Sequence, residues 1–346
     1  MAERAGLTAE QQKILARAID YWRPQVDGRV VVITGGARGI GRAIGEGLME
    51  AGARVAAADK TWAGADSYRG RLESSDQGLA VELDITRDDQ MDAAYETIME
   101  RFGTVDVLIN NAALVSETMF PPTGRVKTLD TKDSDWETMF RVNVFGVVKA
   151  IRRFITPMLE HGRGSIVNVV SSGMLPVSAG GGYYGLRPWS AEMPYQATKG
   201  AVSALSFYLG EEVYRQGVAV NAIMPGHTRA SWFDATVEAH KEQGRVYSTR
   251  PLVPEHLIPI ALFLAAQDGR GVTGRLYPVT EWNYDHGCGN YAAWLDFSMP
   301  DEVEELFRNL EDAMPDWERS GVPNTPYDAR AAMSAAAVAK LRMQQS

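Results

Sequence analysis

The stretch Val30-Val31-Val32-Ile33-Thr34-Gly35-Gly36-Ala37-Arg38-Gly39-Ile40-Gly41 decides the fold. Its first five residues are a short, β-branched apolar run, as in a strand buried on both faces. Glycines follow at positions 35, 36, 39 and 41, and a helical period then runs from Gly41 to Ala51. Strand, glycine turn and helix in that order make a phosphate-binding element. Glycine lets the backbone turn tightly and approach a pyrophosphate with no Cβ in the way, and the first N–H groups of the helix face the negative charge. The spacing is G-x-x-x-G-x-G, and no Gly-Lys-Ser/Thr follows, which excludes a P-loop.

Working outward, short apolar runs alternate with longer helical periods. Strands are predicted at Val30–Thr34, Arg54–Ala58, Gly78–Leu83, Val105–Ile109, Ser165–Val170, Val218–Ile223 and Arg275–Val279. Helices are predicted between them, notably Gly41–Ala51, Asp88–Phe102, Asp135–Glu160, Tyr195–Gln216 and Pro254–Ala266. Seven such strands with helical crossovers give an α/β fold, a Rossmann-like doubly wound parallel sheet. It occupies residues 28–280 as a single domain with terminal extensions. Residues 1–27 form a helical extension in which Thr8 and Gln11 have capping-box spacing, with Pro24 expected to end the helix. Residues 281–346 form a second helical extension, where Val303, Leu306, Phe307, Leu310 and Met314 make an apolar stripe and 331–343 is Ala-rich. Two loops on the substrate side, 173–193 and 226–250, break the alternation.

Composition narrows the function classes. The 346 residues carry 44 acidic and 35 basic side chains, a net charge of −9, and the basic residues are dispersed, which argues against a nucleic-acid partner. No run of apolar residues is long enough for a membrane span. The one cysteine, Cys288, fits a reducing, cytoplasmic setting, and no histidine or cysteine spacing matches a metal site, so no metal is expected.

Asp59 ends the second strand, twenty residues beyond Gly39, where an acid can accept hydrogen bonds from an adenosine ribose and repel a 2′-phosphate. That favours NAD; the neighbouring Arg38 and Lys60 are the residues that would suit NADP. Tyr195 and Lys199, four apart on a predicted helix, share a face.

With the Thr34–Gly41 turn, Asn110-Asn111-Ala112-Ala113 after the fourth strand, Asn143 in the next helix and Ser171 after the fifth strand, this pair resembles the short-chain dehydrogenase/reductase family over about residues 28–280. The resemblance implies hydride transfer between a nicotinamide cofactor and a secondary alcohol or ketone. Tyr195 would be the general acid/base, Lys199 would lower its pKa and hold the nicotinamide ribose, and Ser171, with Ser172 as its rival, would bond the substrate oxygen. Asn143 would hold a water in a proton relay. The cofactor would be met by Gly35, Arg38, Gly39, Ile40, Gly41, Asp59, Asp84, Ile85, Asn111, Ala112, Tyr195, Lys199, Pro225, Gly226 and Thr228; a capping hydroxyl is the other reading of Thr228. Ser171 and Tyr195 are 24 residues apart, a wider interval than is usual in the family, and Ala113 stands where the family usually has glycine.

Met174, Tyr183, Tyr184, Trp189 and Trp232 would wall the substrate pocket, suiting an apolar or aromatic alcohol, unless these aromatics pack the loop against its own domain. Arg187 and Arg229 leave room for an anionic group. Homodimers or homotetramers built through the long helices are the family's habit, and the apolar stripe in the tail also asks for a covering surface. An NADP-dependent carbonyl reductase and a non-catalytic dinucleotide sensor are the alternatives.

Overall fold

All neighbouring strands of the seven-stranded sheet run parallel, in the order β3-β2-β1-β4-β5-β6-β7. The computed structural model describes residues 4, 6–121, 124, 126–174, 193–230, 233–242 and 250–298. The strands are β1 (Val30–Thr34), β2 (Arg54–Asp59), β3 (Gly78–Glu82), β4 (Val107–Asn110), β5 (Gly164–Val169), β6 (Val218–Met224) and β7 (Arg275–Pro278). The helices are α1 (Ala9–Val26), α2 (Gly39–Glu50), α3 (Asp66–Glu73), α4 (Asp88–Phe102), α5 (Ser116–Met119), α6 (Asp133–Phe140), α7 (Val147–His161), α8 (Tyr195–Val213), α9 (Phe233–Glu242), α10 (Ile258–Ala265) and α11 (Val279–Asp285). The strand order reverses between β1 and β4, so the crevice beyond their carboxyl ends is where a doubly wound sheet takes its ligand.

Alternation along the strands splits the core in two. Val31, Ile33, Val55, Val107, Ile109, Val167 and Ile223 face one cluster, shared with α1, α2 and α10, while Val30, Val32, Ala56, Leu108, Ile166, Val218 and Val220 face α4, α7 and α8. Because both faces are covered, the strands read as continuous apolar runs, and for that reason they are easy to place from sequence.

The first cluster includes both ends of the described chain. Ile14, Leu15, Ala18 and Ile19 of α1 lie in it with Trp282 and Trp294 from beyond β7, and Trp294 is fully buried. Thr8 Oγ1 accepts the Gln11 N–H at 3.2 Å, completing the expected capping box, and Gln11 Nε2 then donates to the carbonyls of Ala293 and Leu295 at 3.0 Å each. Residues 281–298 are therefore built into the body of the protein. The apolar stripe at Val303–Met314 and the Ala-rich run lie outside the described residues.

Several boundaries differ from expectation for local reasons. Pro24 does not end α1, which continues to Val26: a proline this near the end removes one hydrogen bond, and the Asp27 N–H still reaches Arg23 O at 2.9 Å. The last strand stops at Pro278, and Val279 starts α11 instead. The predicted helix 135–160 is three pieces, α6 and α7 joined by a π-helical turn at Arg141–Gly146. Asn143 sits in that wide turn, the kind of irregularity that helices concentrate at functional sites.

Candidate active site

The cofactor half is built almost wholly of backbone. Gly35 has φ +66° and Gly39 φ +52°, left-handed values that favour glycine. A Cβ on Gly41 would run into the carbonyl oxygen of Gly35, whereas at Gly39 nothing lies within 4 Å, leaving open space at the start of α2. The helix itself begins at Gly39, two residues earlier than its periodicity predicts, so that its free N–H groups lie inside the glycine turn. This is a cradle with the shape and polarity that a pyrophosphate needs.

The turn is locked from below. Thr34 Oγ1 accepts the N–H groups of Asn111 and Ala112 at 3.1 and 3.2 Å, and Asn111 Nδ2 donates to Thr34 O and Gly35 O at 3.2 and 2.8 Å. Asn111, expected to meet the cofactor, thus uses its amide nitrogen to brace the turn. Asp59 closes the same turn from the side, accepting the Ala37 N–H at 3.1 Å and the Thr61 N–H at 3.2 Å. Arg38 donates to the carbonyls of Thr61 and Ala63, and Lys60 pairs with Asp84 at 2.9 Å. Burial pushes the Asp84 carboxyl up, but hydrogen bonds from Lys60 and Thr86 outweigh it and hold the group below its ordinary range. Ile85, next to Asp84, is buried against Gly146 of the π turn.

The catalytic half is pinned to the sheet by buried side chains. Asn110 Nδ2 donates to Asn168 Oδ1 at 2.8 Å, Asn168 Nδ2 to Ser206 Oγ at 2.9 Å, and Ser206 Oγ to Val202 O at 2.8 Å, a chain running from β4 through β5 into α8. Asn143 holds both backbone groups of Leu114: Oδ1 accepts its N–H at 2.8 Å and Nδ2 donates to its carbonyl at 2.9 Å. The same Nδ2 lies 3.1 Å from Thr198 Oγ1, which donates to Tyr195 O at 2.6 Å. The π turn therefore lets one side chain tie the segment after β4 to the start of α8.

On α8, the Lys199 Nζ donates to Val169 O at 2.8 Å and lies 5.5 Å from the centroid of the Tyr195 ring. Complete burial pushes its pKa down to about 8. Ser171, half-buried just past β5, accepts the Gly173 N–H at 3.2 Å; Ser172 beside it is buried. Of the four residues expected to do chemistry, Ser171 follows β5, Tyr195 and Lys199 lie in the first turns of α8, and Asn143 reaches α8 through Thr198. Pro225 and Gly226 follow β6, Thr228 Oγ1 donates to Gly226 O at 2.9 Å, and a Cβ on Gly226 would press on Leu252.

The pocket wall is described only at one expected position. Met174 packs against the α8 face, with its sulfur 3.1 Å from Ser203 Oγ, while Tyr183, Tyr184, Trp189 and Trp232 lie outside the described residues. Arg229 is committed to Asp234 and Asp296 at 2.8 and 3.2 Å, so it is not a free cation for an anionic substrate group, while Arg187 lies outside the described residues. Sequence reading missed Thr198, although it stands inside the Tyr195–Lys199 interval, and it missed Asp296, which has no local signal. No described helix is long and apolar enough to cross a membrane, and among the described residues no three His, Cys, Asp or Glu side chains gather as a metal site.

A glycine-cradled helix start thus stands at the switch point of a doubly wound parallel sheet, where such folds take a dinucleotide. The chain belongs to the short chain dehydrogenase family, whose model matches residues 29–241, and it is an oxidoreductase acting on CH–OH donors with NAD(P). It is 62% identical over 349 residues to a fluoren-9-ol dehydrogenase of Terrabacter sp. (strain DBF63), a match covering 100% of this chain and 98% of that one. It is 30% identical to a sorbitol dehydrogenase of Cereibacter sphaeroides over 75% of this chain and 99% of the other. Among solved structures, a 3-ketoacyl-(acyl-carrier-protein) reductase from Brucella melitensis complexed with NADH superposes with a TM-score of 0.60 at 28% identity, over 73% of this chain and 97% of that one.

Proposed function

We propose that this protein oxidises a secondary alcohol held between aromatic rings, of the fluoren-9-ol type, to its ketone with NAD. The observation that carries the reading is the 62% identity to fluoren-9-ol dehydrogenase across the whole chain, extensions included. The commitment of Arg229 to two carboxylates supports it, because it favours an uncharged substrate. Asp59 supports NAD: its carboxylate already stands at the turn, and both bases that could welcome a 2′-phosphate, Arg38 and Lys60, are engaged.

The turn at Gly35–Gly41, with Asp59, Asp84, Ile85, Ala112, Lys199, Pro225, Gly226 and Thr228, would hold the dinucleotide. When bound, the nicotinamide supplies the hydride acceptor. The chain's own residues handle the proton. Tyr195 takes the hydroxyl proton of the alcohol. Its phenol ordinarily titrates near 10, and the Lys199 ammonium, buried beside the ring, favours the phenolate it must present. Ser171 donates to the substrate oxygen as negative charge gathers there, a role open to it because its Oγ uses an acceptor site on Gly173. Asn143, through Leu114 and Thr198, keeps the tyrosine-bearing turn in register with the sheet.

Titration with NADH and NADPH in separate runs, followed by turnover of fluoren-9-ol, tests this reading. Tighter NADH binding with ketone formation is expected; tighter NADPH binding or no turnover would overturn it. Exposed Phe145, Phe207 and Tyr208, the last two on α8, support assembly as a homodimer or homotetramer, which sedimentation of the full chain would reveal as a mass of two or four protomers.

A further inference from the structure

Residues 295–298 do more than cover the core. Leu295 forms an antiparallel bridge with Leu252, and Leu252 a parallel bridge with Thr228. Hydrogen bonds from Leu252 N to His227 O (2.7 Å), Arg229 N to Leu252 O (2.9 Å) and Asp296 N to Pro251 O (2.9 Å) stitch the three stretches together. The extension therefore reaches, through 250–253, the segment that directly follows Pro225 and Gly226. All of 242–298 lies beyond the part of the chain that the family model matches.

At the end of this ladder stands Asp296, only 2% exposed. Its Oδ1 accepts the N–H and Oγ–H of Ser298 at 2.8 and 2.7 Å, its backbone carbonyl accepts from Arg250 at 2.9 Å, and its Oδ2 meets Arg229 Nη1 at 3.2 Å. The other edge of the Arg229 guanidinium grips Asp234 in the first turn of α9 with two bonds, at 3.0 and 2.8 Å. One planar cation thus spans two carboxylates, one from the extension and one from α9. A bidentate guanidinium fixes orientation as well as distance, which a lysine could not do.

We infer that Asp296 is a positioning residue for the substrate side of the site: acting through Arg229, it sets where α9 and the 226–234 stretch stand relative to the end of β6. The role rests on the reading of the site as an alcohol dehydrogenase. It adds that specificity is set in part by the extension, through a residue that touches neither substrate nor cofactor.

The test is Asp296→Asn, which keeps the shape and the Ser298 contacts and removes the charge, with Asp296→Glu as the conservative variant that retains it. In Asp296→Asn, the KM for fluoren-9-ol should rise about tenfold while kcat and NADH affinity stay within about twofold, and backbone amide exchange over residues 233–242 should quicken. Asp296→Glu should recover most of the KM. Combined with Arg229→Gln, the Asp296→Asn change should add little, because both break one link. Unchanged KM and unchanged exchange at 233–242 would overturn the inference; so would losses in KM, kcat and NADH affinity that track a fall in melting temperature, the mark of general destabilisation. If the wild-type protein turns over no fluoren-9-ol, the functional reading fails, and amide exchange over 233–242 still decides whether Asp296 positions α9.

Discussion

The glycine turn at 34–41 and the paired segments 226–230 and 250–253 are held in opposite ways. The turn is fixed by its neighbours: glycines with left-handed backbone, a threonine and an asparagine that bind main-chain atoms, and an aspartate one strand away. Residues 227–230 and 250–253 are tied instead to residues distant in sequence, above all Asp296, through a buried carboxylate and a short ladder of backbone bonds. A cofactor common to a whole family can be met by local geometry. On the proposal made above, a substrate particular to one enzyme would be met by a part positioned from residues beyond the matched 29–241.

Perturbing the local region should have the larger consequences. Gly41→Ala drives a Cβ into Gly35 O, an overpacking cost of about 1–3 kcal/mol unless the turn opens. NADH affinity measured by nicotinamide fluorescence should fall by about 100-fold, while the fold survives with a lowered melting temperature; unchanged affinity would show that the turn does not hold the pyrophosphate. Asp59→Ala removes the acid proposed to face the ribose and two hydrogen bonds from Ala37 and Thr61, so NADH should bind about tenfold more weakly and the preference over NADPH should shrink. An unaltered ratio of the two affinities would remove Asp59 from cofactor choice.

At a buried histidine beside 250–253 the effect falls on stability in acid and leaves cofactor binding at neutral pH unchanged. His256 is fully buried, its Nδ1 2.7 Å from Val253 O, and desolvation holds its pKa down to about 4 against an ordinary 6.5. Between those values the unfolded chain takes up a proton that the folded chain refuses, so stability present above pH 6.5 is lost as pH falls towards 4, by roughly 3 kcal/mol at most. His256→Gln should flatten that part of the pH–stability curve measured by urea unfolding; an equal slope in both proteins would assign acid sensitivity elsewhere.

The same contrast governs how much could be read from the sequence. Central strands buried on both faces announce themselves as apolar runs, and the placement of Gly35–Gly41, Asp59, Tyr195 and Lys199 is legible because each lies within one strand–turn–helix unit or one helical turn. The π turn is not legible: Arg141–Gly146 has an ordinary helical composition, and the partner that Asn143 holds from it, Leu114, is 29 residues away. Of the two acidic partners that occupy Arg229, Asp234 stands five residues on and is legible as a neighbour, whereas Asp296 stands 67 residues further on and is not. Pro24 misled for the opposite reason, since a local rule about proline yields when only the last turn remains to be made.

Turnover of the Tyr195→Phe variant with fluoren-9-ol and NAD, measured alongside its NADH affinity, bears most directly on the chemistry assigned to this site. Losing the phenolic proton acceptor should cut kcat by about 1,000-fold or more and leave NADH affinity within about twofold of wild type. Substantial turnover by Tyr195→Phe would contradict the assignment of the proton step to this tyrosine.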